Sequence, residues 1–214
     1  MGEAVLTAER ILKAAEDVLR RFGPAKATVV DIARALGVTH GSVYRHFASK
    51  AALRDAVVRQ WLGTMLPPLE AVASEKGSAP VRLRRWLDLL VATKRKRLTD
   101  DPELFAAYFA LTTQARQVCQ AHVDTLVGQV ARIIADGIAR GEFTAVDPVS
   151  TGRAVFQATS VFHHPAHAAA WSEPGTDDAL DAVWRLLVCG LEARDRAKES
   201  RRRDTTKPSR DRKK

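Results

Sequence analysis

Cysteine is nearly absent from this chain. Cys119 and Cys189 are the only two, seventy positions apart, with no CxxC pair and no neighbouring ligand pattern. That excludes a disulfide framework and a thiolate metal cluster, and fits two reduced thiols in a cytoplasmic protein. Long apolar runs are also missing. The opening MGEAVLTAERI has no apolar core of a secretory signal, so none is expected. The nineteen residues from Ala154 to Ser172 carry no acidic or basic side chain, yet include Gln157, Thr159, Ser160, three histidines and Pro165. This stretch is too polar to span a membrane and reads as a buried helix and a loop. No segment alternates with period two over a strand's length, and no internal repeat occurs. The motifs GxSxG, HExxH and the Walker loop are absent, as is any close carboxylate pair, so no enzyme and no cofactor is expected.

What is present is charge, unevenly spread. The chain has 34 Lys/Arg against 25 Asp/Glu, a net +9 over 214 residues. From Arg194 to Lys214 there are eleven basic and four acidic residues, or +7, leaving +2 for the rest. Residues 196–214 therefore read as a disordered basic tail able to attract a polyanion nonspecifically. The first fifty residues hold eight basic and five acidic side chains, a mild +3.

The periodicity is helical nearly throughout, so the expected fold is all-α. Leu6, Thr7 and Ile11 mark a stapled, capped start to a first helix, with Ile11, Ala15, Val18 and Phe22 on one face and Gly23 at its end. Thr28 caps a second helix with Asp31 returning a bond, Ile32, Ala33 and Leu36 face inward, and Gly37 stops it. Thr39 caps a third helix of about two turns anchored by Val43 and Phe47. Ser49 caps a fourth, running through Leu53, Val57 and Trp61 to a break at Pro67 and Pro68. Further helices are expected over residues 80–98, from Pro102 through Thr112, over 118–140, from Asp147 to His163, and over 176–193. The boundaries predicted are a three-helix N-terminal domain over residues 1–48 and a larger helical domain over 49–195, to which the resemblance given below assigns DNA binding and ligand binding with dimerisation respectively.

Two short helices around a tight glycine turn, with a third packed across them, make a helix-turn-helix. Its second helix enters the major groove N-terminus first, and Thr39, His40, Gly41 and Ser42 are small or polar enough to let the backbone approach bases. Gly41 removes the Cβ that would hold the helix off. Tyr44, Arg45 and His46 flank the groove, and Thr28 and Lys50, each at a helix N-terminus, can hold phosphates. The stretch "TVVDIARALGVTHGSVYRHFASKAAL", with D-I-A-x-x-L-G-V, then G-x-x-Y-x-H-F, then S-K and a leucine, resembles the DNA-binding domain of the TetR family of bacterial transcriptional repressors, over about Ile11 to Val57.

The resemblance implies a homodimer on double-stranded operator DNA and an inner pocket in which a small molecule releases it. It carries DNA contact onto Thr28, Thr39, Gly41, Ser42, Tyr44, His46 and Lys50; Arg45 varies in the family, and its role rests on chemistry alone. The expected pocket is lined by Trp86, Leu90, Phe105, Tyr108, Phe109, Thr112 and Phe156, with Gln157 and His163 as polar contacts. No charged side chain is expected in it, which favours a hydrophobic effector. The dimer is expected through Val155 and Phe162 and through two faces of the last helix: Leu180, Val183, Leu187 and Leu191 on one, Leu186 and Gly190 on the other. Two alternatives remain at this point. One is a nucleoid-type binder driven by the tail, which would not prefer one site. The other is a metal-responsive regulator using His163, His164 and His167, against which Pro165 speaks by breaking the helix that would align them; no metal is expected.

Overall fold

A computed structural model describes residues 5–192. Among them there are ten α-helices and no strand, the all-α class expected. The first four are α1 (Ala8–Lys26), α2 (Val29–Leu36), α3 (His40–Tyr44) and α4 (Lys50–Gly63). The N-caps fall where the sequence places them. The hydroxyl of Thr7 accepts from the Arg10 N–H, that of Thr39 from Ser42 and that of Ser49 from Ala52. Thr28 and Asp31 form a reciprocal capping box, which satisfies two N–H groups that the first turn would otherwise leave open. Gly37, at φ 67°, ends α2 in the left-handed region, where a side chain would be strained.

Four expectations need correcting here. Phe22 is not on the inner face of α1 but 41% exposed. Leu19 fills the last core position before Gly23 turns the chain at φ 69°, and the Phe22 ring lies under the Arg21 guanidinium at 5.2 Å. The helix α3 is five residues long rather than two full turns, because the His46 N–H bonds back to Val43 with the tighter three-residue spacing. Pro67 and Pro68 do not merely break the chain: they lie in the first turn of α5 (Leu66–Ser74), where a missing N–H is harmless. The helix α9 (Pro148–Ala158) stops short of His163. The Thr159 hydroxyl bonds the Val155 carbonyl at 2.9 Å, and the chain continues as two 3₁₀ turns, Ser160–Phe162 and Pro165–Ala170.

The remaining helices are α6 (Ala79–Asp100), α7 (Pro102–Thr112), α8 (Arg116–Ala139) and α10 (Thr176–Leu191). Ala193, expected to end the last of these, and the basic tail lie outside the described residues. Two apolar clusters organise the molecule. One joins Ile11, Val18, Ile32, Val43, Leu53 and Val57 of α1–α4 to Leu104, Tyr108 and Leu111 of α7 and Val118 of α8. The other gathers Leu69, Leu83, Trp86, Leu87, Leu90, Ile133, Ile134, Val155, Phe162 and Leu180 from α5, α6 and α8 to α10. The head is thus not held by its own helices alone. It seats on α7, and an ion pair from Arg20 to Asp101 (2.8 Å) fastens α1 to the start of that helix. A close approach packs α9 on α8: a Cβ at Gly152 would lie 3.1 Å from the Ala131 nitrogen and 3.2 Å from the Val127 oxygen.

Candidate functional site

The helix α3 is anchored from one side only. Val43 is 1% exposed, Phe47 packs partly on the same cluster, and Thr39, His40, Gly41, Tyr44, Arg45 and His46 face solvent. Ser42 is half-buried, held between the hydroxyl of Thr39 (3.0 Å) and Nη2 of Arg45 (2.9 Å). His40 meets Tyr44 edge-on at 6.3 Å. The polar turn that starts the helix therefore presents two hydroxyls, an imidazole and a guanidinium around a residue with no side chain.

The N-termini of α2 and α4 meet at a second place on the head. Thr28 and Lys50 both border a cavity of about 550 Å³ at the root of the head, walled by Ala15, Leu19, Ile32 and Leu53. Both residues are exposed, and each stands where free backbone N–H groups favour an anion. The Thr28 hydroxyl and N–H, with Arg34 beyond, hold the Asp31 carboxyl below the usual carboxylate range, so the capping box stays ionised.

Expected pocket residues fall into three groups. Trp86 and Leu90 are buried in the second cluster, and Trp86 Nε1 donates to Gln129 (3.0 Å). Phe105 and Tyr108 gather on Trp61 of α4: Tyr108 stacks on it at 4.5 Å, and Phe105 meets it edge-on at 6.0 Å. Phe109 touches the His164 ring edge-on, Phe156 lies 4.6 Å from that of His163, and the Thr112 hydroxyl donates to the Phe109 carbonyl. Gln157 is exposed. Near the second group stands a buried charge that the expected lining did not include, Lys94. This residue is 6% exposed, and its Nζ lies 5.9 Å from the Trp61 ring.

Histidines 163, 164 and 167 are divided rather than clustered. His163 is buried against Thr159 (3.3 Å), whereas His164 and His167 are exposed with ring centres 6.2 Å apart.

The residues expected at a dimer surface differ in exposure. Val155, Phe162, Leu180 and Leu191 are buried within the protomer. Val183 and Leu187 pack partly on the same core. Leu186 is 76% exposed, and Gly190 is exposed with it, so the second face of α10 is open.

Residues 11–57 match the bacterial regulatory proteins of the tetR family, and residues 79–184 match the tetracyclin repressor-like C-terminal domain. The chain is 29% identical over 146 residues to the uncharacterized HTH-type transcriptional regulator YfiR of Bacillus subtilis, spanning 66% of this chain and 70% of that protein. It is 45% identical over 62 residues to the HTH-type transcriptional repressor Rv3405c of Mycobacterium tuberculosis, a match spanning 29% of this chain and 32% of that one. A TetR transcription regulator from Haloarcula marismortui shares the fold with a TM-score of 0.69 at 20% identity, over 86% of this chain and 97% of that one. With both halves matched and the exposed recognition helix in place, the chain belongs to the TetR family of helix-turn-helix, DNA-binding transcriptional regulators.

Proposed function

We propose that the protein is a ligand-responsive repressor of the cytoplasm that binds a palindromic operator as a homodimer and is released by a small effector. The observation that carries the DNA reading is the one-sided anchoring of α3: Val43 is fixed in the core while the polar first turn around Gly41 is open to solvent. In this reading Thr39, His40, Ser42 and Arg45 face base edges, and Tyr44, His46, Thr28 and Lys50 hold phosphates. No helix among the described residues is long and apolar enough to cross a membrane.

Support for an effector comes from how α4 is built. Its first half belongs to the head core through Leu53 and Val57, and Trp61 in its last turns is stacked on Tyr108. Arg97 of α6 also donates to the Trp61 carbonyl (3.0 Å) and lies 5.0 Å from its ring. A ligand among α6, α7 and α8 would therefore displace Trp61, turn α4 and shift Lys50 and the adjoining α3. Only a difference in affinity between the two arrangements does this work; a 10- to 100-fold loss of operator affinity needs roughly 1.4 to 2.7 kcal/mol.

Support for the dimer comes from Leu186, the exposed apolar residue on the outer face of α10. Covering that face with its two-fold copy forms an interhelical packing. The full-length protein is expected to sediment as a dimer at micromolar concentration. Leu186→Asp is expected to sediment as a folded monomer with operator binding lost at the same concentration. A wild-type monomer, or an L186D dimer, would contradict this assembly.

A further inference from the structure

Six polar side chains are buried among the described residues: Arg82, Lys94, His122, Gln129, Thr159 and His163. Four have partners. Arg82 pairs with Asp136 (3.0 Å) and donates to the Val72 and Ala73 carbonyls. Gln129 takes the Trp86 N–H and donates to Glu70 (3.1 Å). Thr159 donates to the Val155 carbonyl, and His163 meets the Thr159 hydroxyl. Lys94 and His122 are different. No carboxylate pairs with the Lys94 ammonium among the described residues, its only close partner being the face of Trp61, and Nε2 of His122 has no hydrogen-bond partner.

Both are buried, on α6 and α8, and the charge of Lys94 is within electrostatic reach of the His122 ring. The other groups within electrostatic reach of Lys94 are Arg97 of its own helix, Cys119 of α8, and His163 and His164 beyond α9. Tyr108 of α7 belongs to the same neighbourhood through Trp61 and Arg97. None supplies a negative charge at neutral pH: burial raises both the Tyr108 phenol and the Cys119 thiol. Burial pushes Lys94 down to about 8, which still leaves it mostly an ammonium at pH 7. An unpaired buried charge is among the most unfavourable features a fold can carry. His122 also forms part of the wall of a groove of about 300 Å³ between α4 and α8, with Leu62, Leu66 and Val118 beside it and Asp55 and Arg59 around it. The groove, whose wall also holds Gln117 and Thr125, gives an approach to the imidazole from outside with an apolar side at Leu62, Leu66 and Val118.

We propose that Lys94 and His122 are the anion-binding end of a ligand site whose occupant is a monocarboxylate with an aromatic or aliphatic body. The carboxylate pairs with the ammonium and accepts from the His122 Nε2–H tautomer, while Trp61 and the groove's leucines cover the body. The effector role of this ligand rests on the reading given under the proposed function; the site itself does not.

The test is titration of the full-length protein with phenylacetate and octanoate, against phenylacetamide and octanamide, followed by calorimetry and by tryptophan fluorescence. The acids are expected to bind at least tenfold more tightly than their amides. Lys94→Met is expected to remove that preference while raising the thermal midpoint, because it deletes an unpaired buried charge; a lysine needed for the fold would lower it. As a measurement on the unaltered chain, a saturating acid is expected to raise the Lys94 pKa read by NMR. Equal binding of acids and amides, no acid binding at millimolar concentration, or an unmoved Lys94 pKa would overturn the site. Operator release is read separately. Acid binding without release supports the site and removes only its effector role. Release by neutral compounds alone, with no acid bound, overturns the site and leaves ligand-responsive regulation standing.

Discussion

Gly41→Leu is expected to abolish operator binding while leaving the protein folded. The separation follows from the local geometry. A Cβ at Gly41 would meet only the Thr39 hydroxyl oxygen, at 3.8 Å, and the position is exposed. Its φ is not in the left-handed region, so the free protein has room for a side chain, and leaving glycine adds helix propensity of up to about 1 kcal/mol. On DNA the same side chain would stand between the first turn of α3 and the base edges. Holding that turn back by an ångström or two forfeits several base contacts at roughly 1 to 3 kcal/mol each, so operator affinity is expected to fall by about 100-fold or more. The measurement is fluorescence anisotropy with labelled operator beside thermal melting of the same sample. A variant that binds normally would show that α3 does not enter the groove by this turn.

The second large effect is a loss of stability on mild acidification. Burial, reinforced by the charge of Lys94, pushes both His122 and His163 down to about 3. Below pH ~6.5 the unfolded chain takes up protons at these positions that the folded chain refuses until about pH 3. The stability they contribute is complete above pH ~6.5 and is lost as the pH falls. Each histidine approaches a slope of about 1.4 kcal/mol per pH unit, so the pair is expected to lose roughly 4 kcal/mol between pH 7 and pH 5. Carboxylates held low by their partners, such as Asp31, Glu70 and Asp101, begin to contribute only below about pH 4.5, so histidines carry that interval, with His164, which burial also holds low, acting in the same direction as the pair. Urea unfolding at pH 7, 6 and 5 reads the slope, and His122→Asn is expected to lower it by about 1 kcal/mol per pH unit or more. A flat profile would mean that neither imidazole is shielded in solution.

In the head the caps and turns were legible because their signals are local, whereas the burial of Phe22 and the length of α3 were misread. Caps at Thr7, Thr28, Thr39 and Ser49, and Gly37 in the left-handed region, each determine their own turn within four residues, and neighbours elsewhere do not alter them. The interior was less legible, although part of its signal was present. Leu83, Trp86, Leu87, Leu90 and Val91 are buried on one face of α6, and Lys94 continues that face with helical spacing. Likewise His122 lies between Val118 and Leu126 on the buried face of α8. Composition argues for placing lysine outside, and here the period decides instead. What no spacing could show is that Trp61 reaches across from α4 to stack on Tyr108, since residues 47 positions apart meet only through tertiary packing. The same limit explains the dimer residues: Val155 and Leu180 are apolar and helical as read, but which neighbour covers them depends on how α9 and α10 dock.

Sequence-specific recognition by α3 is the central claim, and selection from a random duplex DNA pool by the purified full-length protein tests it most directly. The account predicts enrichment of one sequence with two inverted half-sites, bound roughly 10³-fold or more tightly than scrambled DNA at the same salt concentration. A pool that emerges unenriched, with equal affinity for every duplex, would contradict it.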